Sequence, residues 1–249
     1  HRAGFFITLT VIASSFGQLA GGFAADRHPR KHVMVSCQLT VAFCYAACAL
    51  LIDTAPMSVA YIILVSSPFR GATWPVSHAL VADYSDGDME RARAFSLLYL
   101  GSNIGVAVGP LVASFLFSRS LPLLFGISAF TLVMSSALLG LLLPKGERDP
   151  VSVAGGADAK DSLLRLFFGN RMLLLYVVAF TLYNFIYVQH SFALPLQMNM
   201  LFGSQRGTDG YGWLMSINAL TVLLMTPTVT RLTLLVPRAV NMAAGRLFY

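Results

Sequence analysis

Long apolar stretches recur along the whole chain and leave only short polar links between them. A helix needs about 20 apolar residues to cross the hydrocarbon core of a bilayer, and seven stretches reach that length. Backbone N–H and C=O groups cannot stay unpaired in lipid, so such stretches fold as helices. The sequence therefore predicts an all-α membrane protein, a polytopic bundle with about seven transmembrane helices. The predicted spans are residues 3–25, 33–52, 57–82, 94–117, 121–143, 172–198 and 211–229, and the tail from Arg238 resembles the start of an eighth.

The composition agrees with a bilayer as the solvent. Only 11% of the residues are charged and 56% are hydrophobic, whereas about a quarter of the residues are charged in soluble domains. The net charge of +6 comes from basic residues scattered between apolar blocks, which form no stripe or stacking platform for nucleic acid. Cys37, Cys44 and Cys48 share one apolar stretch, where cysteine packs as a small hydrophobe. We therefore predict no disulfide, no metal site and no nucleic-acid partner.

A run of charge, which we call the hinge (residues 22–34), separates the first two spans. It reads Gly-Phe-Ala-Ala-Asp-Arg-His-Pro-Arg-Lys-His-Val-Met. Pro29 has no backbone N–H, and its ring clashes with the preceding turn of a helix. One helix is therefore expected to end in the hinge and another to begin there.

Lysine and arginine are distributed unequally over the two sides of the predicted bundle. Thirteen lie on the side of the hinge and three on the opposite side, with Arg70 inside the third span. Cytoplasmic loops of membrane proteins carry the excess of these residues. The hinge and the longest polar segment, residues 144–170, are therefore predicted to be cytoplasmic in a multi-pass protein of the plasma (inner) membrane.

The hinge carries a motif of known families. From Gly22 to Lys31 its spacing is Gly-x-x-x-Asp-Arg-x-x-Arg-Lys. This resembles the loop signature between the second and third helices of the major facilitator superfamily of secondary transporters. Pro29 stands where that signature usually has a glycine.

The resemblance implies a domain organisation. The seven spans would be family helices two to eight of an expected twelve, so that the chain is a fragment with an incomplete fold. Residues 1–143 would form an N-terminal bundle (family helices two to six) and residues 144–170 the central loop. Residues 171–249 would begin a C-terminal bundle, with family helices seven and eight and the beginning of nine.

The resemblance also implies a gating role for the hinge. Asp83 follows the third span on the same side, opposite Arg30 or Lys31, and could pair with either. Such pairs would hold that side shut in one state and break when it opens. Ordinary solvated charge is the alternative, because exposed pairs contribute only about 0–1 kcal/mol. The candidate gating residues are Gly22, Asp26, Arg27, Arg30, Lys31 and Asp83.

The fourth span contains a second motif, Gly105-Val-Ala-Val-Gly109-Pro110. It is similar to the antiporter signature of the drug and proton exchangers in the same superfamily. Small residues four apart let helix backbones approach closely, and proline bends a helix. Simple tight packing is the alternative interpretation of this motif.

Two sets of polar residues inside the spans are candidates for the substrate or proton pathway. Arg70 lies near the middle of the third span, where a charge is expected to face protein or water. At 100° per residue it shares a face with Ser67, Trp74, Ser77 and His78. A purely structural ion pair for Arg70 stays open. In the sixth span the candidates are Tyr183, Asn184 and Tyr187, which helical spacing places on one face.

The function that these features favour is secondary active transport of a small molecule by alternating access, with proton-coupled efflux as the preferred form. The sequence contains no phosphate-binding loop and no hydrolase or metalloprotease motif, so we predict neither an enzyme nor a cofactor. The expected partners are a small-molecule substrate, protons and the lipid bilayer, for a protein acting as a monomer. A symporter for a sugar or peptide stays open. A seven-helix receptor is disfavoured because the Asp-Arg pair follows the first span and not the third.

Overall fold

The computed structural model describes residues 2–117, 119–143 and 169–232. In this part of the chain the elements are seven α-helices, which we number in chain order, and the all-α fold class is confirmed. Each predicted span lies on one helix, and the helix ends differ from the predicted ends by up to seven residues, most at the start of the fourth and seventh helices. The predicted eighth helix and most of the predicted central loop lie outside the described residues. The helices are α1 (Arg2–Arg27), α2 (Arg30–Leu51), α3 (Pro56–Asp83), α4 (Gly87–Phe117), α5 (Leu121–Leu142), α6 (Arg171–Phe202) and α7 (Ser204–Leu232).

Four helices in the described part are long and apolar enough to cross a membrane, judged by length and composition. They are α1, α2, α4 and α5, over Gly4–Arg27, Arg30–Leu51, Met89–Phe117 and Leu121–Leu142. The third helix is as long, but Arg70 and two internal prolines, Pro68 and Pro75, lower its hydropathy. Residues of that kind inside a span are retained for function more often than for stability.

Proline and glycine set the helix boundaries. Pro29 has extended backbone (φ −54°, ψ 117°) and separates α1 from α2, as the sequence predicts. Gly87 and Gly203 have φ of +82° and +80°, the left-handed region that glycine adopts without a steric penalty. The link between α6 and α7 is Gly203 alone, shorter than the predicted gap of residues 199–210. The helix continues through this polar segment, where Gln205 donates to Asp209 one turn later at 3.3 Å.

Contacts group the described residues into two compact units. Of the described residues, the first takes in 2–95, 116–117, 119–143 and 169–192, and the second takes in 96–115 and 193–232. In the first unit α1 packs mainly on α3, and α2 packs on both α3 and α5. The predicted division of the chain at residues 144–170 stays a prediction.

Glycines allow α1 and α3 to cross at backbone contact. A Cβ on Gly17 would fall on the carbonyl of Pro68, and one on Gly71 would fall on the carbonyl of Ser14. A Cβ on Gly21 would lie 2.5 Å from that of Ala72. The absence of these side chains therefore fixes the crossing point, as in other close pairs of membrane helices.

A buried glutamine joins α2 to α5. Gln38 is only 6% exposed, and its amide nitrogen donates to the Ser135 hydroxyl at 3.2 Å. The Ser136 hydroxyl donates to the amide oxygen of Gln38 at 3.0 Å. Both ends of the amide are therefore satisfied, which a buried polar group requires.

Candidate functional site

Arg30, the first residue of α2, binds groups from α1 and α3 at once. Its Nη1 atom donates to Asp83 Oδ1 at 2.6 Å and to the carbonyl of Ala79 at 3.1 Å. Its Nε atom donates to the carbonyl of Ala25 at 3.3 Å. The side chains of Arg30 and Asp83 are 23% and 32% exposed, so the pair is partly shielded from water. Of the two partners considered for Asp83, the structure places Arg30 beside it.

Lys31 contacts a different helix. Its ammonium group donates to the carbonyl of Gly140 at 2.9 Å and to that of Leu143 at 2.6 Å. These carbonyls belong to the end of α5, where the last four C=O groups of a helix have no partner within it. Lys31 therefore ties the end of α5 to the start of α2.

The hinge cations compensate several helix dipoles together. The negative ends of α1, α3 and α5 meet at Arg30 and Lys31, whereas α2 presents its positive end there. A cation near a helix C-terminus gains roughly 0.3–1 kcal/mol, and one near an N-terminus loses a similar amount. Three favourable termini and the Asp83 carboxylate outweigh one unfavourable terminus. The arrangement can therefore bind four helices at one end of the first unit.

Other predicted gating residues are held more loosely. Asp26 is 58% exposed, and its carboxylate lies 3.7 Å from Arg30 Nη2. The Arg27 guanidinium lies 3.8 Å from the centroid of the Phe23 ring. A Cβ on Gly22 would meet nothing within 4 Å, so no close contact requires a glycine at that position. These residues remain candidates by their place in the motif.

The candidate pathway residues of α3 fall on an open part of its surface. Arg70 is exposed, and among the described residues no carboxylate lies within ion-pair distance of its guanidinium. Trp74 is 59% exposed. Its ring lies 4.7 Å from the imidazole of His78, which in turn lies 5.5 Å from the ring of Phe95 in α4. The Nε2 atom of His78 is buried, and no group of the described residues forms a hydrogen bond with it.

The residues of the predicted face of α3 differ in exposure. Ser67 has no exposed surface, and its hydroxyl donates to the carbonyl of Ile63 in the same helix at 2.8 Å. It therefore lies on the side of α3 that is packed, next to the buried Gly71. Ser67 thus lies at the edge of the predicted face, on the side of α3 that the crossing of α1 covers, and the role of this face stays a prediction.

The glycines of the antiporter-like motif are not at a close helix contact. Within the described residues nothing lies within 4 Å of a Cβ placed on Gly105 or Gly109. The packing in the second unit uses the neighbouring face of α4, where Ser216 of α7 donates to the carbonyl of Ala107 at 2.5 Å. A Cβ on Gly212 would lie 3.2 Å from the carbonyl of Pro110. No described residue therefore makes the backbone approach expected at Gly105 and Gly109, whereas Pro110 does lie at the contact, and the role of the motif stays a prediction.

The candidates of the sixth span cannot be placed in a site. Tyr183, Asn184 and Tyr187 belong to α6, but their side chains lie outside the described part of the chain. Their pathway role stays a prediction.

Comparison with known proteins adds the family. The sequence profile of the Major Facilitator Superfamily matches residues 1–249. The chain belongs to the major facilitator superfamily. It is accordingly an integral membrane protein of that family, and the resemblance drawn from the hinge is confirmed.

Several curated members of the superfamily are similar to the chain. An antiporter for Na⁺, Li⁺ and K⁺ against H⁺ from Planococcus maritimus is 28% identical over 92% of the chain and 60% of its own length. The multidrug resistance protein MdtH of Cronobacter sakazakii is 28% identical over 88% of the chain and 50% of its own length. The class C tetracycline resistance protein of Escherichia coli is 32% identical over 52% of the chain and 33% of its own length. The chain thus spans about half the length of the curated relatives it matches, or less.

Sequence reasoning missed two features of this superfamily member. The pair Gly17-x-x-x-Gly21 has the same small-residue spacing that drew attention to α4, and it does lie at a backbone contact. Gln38 was the other available signal, because an uncharged amide inside an apolar span needs partners on a neighbouring helix. Nothing in the sequence identifies the carbonyls that Lys31 binds.

Proposed function

We propose that this chain is part of a secondary transporter that exports a small molecule or ion by alternating access, driven by protons moving the other way. The names of three relatives support export, since they describe antiport of Na⁺, Li⁺ and K⁺ against H⁺, tetracycline resistance and multidrug resistance. The proposal depends on family membership for transport as such. The direction of transport, the coupling ion and the substrate are what the proposal adds to the family assignment.

The observation that carries a mechanism is the hinge network. Arg30 and Lys31 reach the ends of α1, α3 and α5 from the start of α2. A transporter that alternates between two states needs a rigid body on at least one side of its moving contact. We infer that the network keeps this end of the first unit rigid while the exposed pair of Asp26 with Arg30 changes between states.

The two acids then have different roles. Asp83 makes the short and partly shielded contact with Arg30, whereas Asp26 makes a long and exposed one. A contact can bias a two-state equilibrium only if its free energy differs between the states. Asp26 meets that condition more readily, because little holds its carboxylate in place. Asp83 is assigned to holding the bundle end together.

Proton-coupled export can be tested with the full-length protein in everted membrane vesicles. A pH gradient is imposed and followed with a fluorescent dye, and NaCl, LiCl, KCl or tetracycline is then added. Dissipation of the gradient by at least one of these, absent in vesicles without the protein, is expected. Transport that continues unchanged after an uncoupler collapses the gradient would contradict proton coupling and leave the family assignment intact.

A further inference from the structure

Arg70 is a charge in the middle of α3. It lies 14 residues after Pro56 and 13 before Asp83, the two ends of α3. Its side chain is exposed, and no carboxylate of the described residues is within ion-pair distance. A guanidinium at this depth faces water or a polar partner and not lipid. The open side of α3 around Arg70 therefore has a charge that nothing in the described part neutralises.

An aromatic surface lies one turn away. Trp74 follows Arg70 by four residues, and residues four apart are neighbours on a helix face. Trp74 is 59% exposed. Its ring centroid lies 4.7 Å from that of His78, with the ring planes tilted by 56°, and the His78 centroid lies 5.5 Å from that of Phe95. These ring contacts support part of the indole, and more than half of the residue stays accessible to a ligand.

The charge and the ring together select a ligand. We propose that Arg70 and Trp74 bind a small aromatic anion, whose carboxylate or sulfonate pairs with the guanidinium while its flat ring stacks on the indole. This inference rests on the proposed function, which leaves the exported molecule open, and it makes the aromatic anion one class of molecule that the transporter moves. Arginine suits planar oxyanions because its N–H donors form a fixed fork.

The opposite charge on the ligand is disfavoured by the same residues. An exposed indole alone attracts cations over its face. Arg70 lies one turn from it, however, and the nearest acid of α3 is Asp83 at the far end of the helix, already bound to Arg30. A ligand with a cationic ring would therefore lose, by repulsion from Arg70, the free energy that it gains from contact with the indole.

His78 supports the indole of Trp74. Its imidazole centroid lies 4.7 Å from that of Trp74 and 5.5 Å from that of Phe95. His78 is thus a positioning residue, which supports Trp74 without touching the ligand.

The test uses two probes with one ring system and opposite charge, 2-naphthoate and 2-naphthylmethylammonium. Binding to the purified full-length protein in nanodiscs is measured by titration calorimetry. The wild type is expected to bind the anion at least tenfold more tightly than the cation. Arg70→Ala should weaken binding of the anion at least tenfold, and Arg70→Lys should recover only part of that loss. Trp74→Ala should weaken it severalfold, with Trp74→Phe closer to the wild type.

The control is Arg206→Ala, which removes an exposed arginine from α7 and should leave binding of the anion unchanged. Equal affinity for 2-naphthoate in the wild type and in a folded Arg70→Ala variant would overturn the proposal, as would tighter binding of the cation. If Arg70→Ala does not reach the membrane, Arg70→Gln and Trp74→Ala decide in its place. If the binding results contradict the anion site while the pH gradient is still dissipated, the aromatic anion is rejected and proton-coupled export stands. If the anion binds as expected while the gradient is not dissipated, proton-coupled export is rejected and the anion site stands.

Discussion

A single guanidinium at position 30 has three hydrogen-bond acceptors and a second carboxylate near it. Two of the acceptors are main-chain carbonyls near the ends of α1 and α3, and the third is Asp83 at 2.6 Å. An ammonium group is a point charge without a planar fork, so lysine cannot reproduce this geometry. The adjacent Lys31 binds two carbonyls that lie close together at one helix end, for which a point charge is sufficient.

The first prediction separates the two acids of the hinge. In the full-length protein Asp83→Asn should lower the thermal stability, because it weakens a charge-assisted bond worth about 1 kcal/mol after allowance for its exposure. Asp26→Asn should leave the stability unchanged and slow turnover with little change in substrate affinity. Both are measured by thermal unfolding in detergent and by transport kinetics in proteoliposomes. Loss of affinity with normal turnover in Asp26→Asn would count against the switching role.

Exchange of Arg30 and Asp83 gives a second, independent prediction about single residues. Arg30→Asp alone should be strongly destabilising, because it places an acid beside Asp83 and beside two carbonyls. The double variant Arg30→Asp with Asp83→Arg should recover only part of the stability, since an arginine on α3 cannot serve the carbonyls of Ala25 and Ala79 in the same way. Thermal unfolding of the two variants and the wild type measures the recovery. Full recovery would mean that only the ion pair matters and the carbonyl contacts do not.

Among the helices, the crossing of α1 and α3 depends most on side-chain size. Gly17, Gly21 and Gly71 remove atoms at the places where the backbones meet. The sequence contains such small-residue spacings in both α1 and α4, and of these two, within the described ranges, the one in α1 lies at a backbone contact. The spacing indicates a helix face that permits close approach, and the partner decides whether that approach takes place.

The third prediction concerns this crossing. Gly17→Ala should destabilise the protein by about 1–3 kcal/mol, the usual range for overpacking a tight contact. Gly4→Ala on the same helix is the matched control, because a Cβ there meets nothing within 4 Å and alanine favours the helix. Thermal unfolding of both variants in detergent provides the comparison. Equal stability of the two would show that α1 and α3 do not cross at Gly17.

The fourth prediction tests the amide between α2 and α5. Gln38→Leu removes the bonds to Ser135 and Ser136 at nearly constant volume, and polar contacts between membrane helices average about 0.6 and reach about 1.7 kcal/mol. A loss within that range is expected in thermal unfolding. Gln18→Leu is the control, since Gln18 is exposed on α1 and the change should not destabilise. A larger loss for Gln18 than for Gln38 would contradict the buried pair.

For the molecule as a whole, hydropathy alone located the seven helices of the described part, because a span must hide every backbone polar group within itself. The boundary between α1 and α2 could be predicted from Pro29, because proline has a fixed φ. Which helices pack against each other could not be predicted from the sequence. Lipid is as apolar as the side chains, so hydropathy does not indicate which helix face contacts which neighbour. The open site around Arg70 was visible as a charge in a span, but the burial of Ser67 beside it depends on α1.

The fifth prediction is the orientation in the membrane, which rests on the distribution of lysine and arginine. Single cysteines at positions 27 and 160 should be protected from an impermeant thiol reagent in intact cells, and those at positions 119 and 206 should react. The background must lack Cys37, Cys44 and Cys48, which all lie in α2. Reaction at position 27 or 160 would reverse the predicted topology.

The interleaved pairing of the helices also has a consequence for biogenesis. The main partner of α1 is α3 and not the helix that follows it, so Gly17 leaves the ribosome long before Pro68 exists to receive it. Gln38 is without its partner for longer, because Ser136 lies 98 residues downstream. Synthesis of that many residues takes roughly 5–20 s at ordinary rates. During that interval a polar amide and an open glycine face must be sheltered by the insertion machinery or by lipid. The nascent chain is therefore most vulnerable to degradation before α5 is complete.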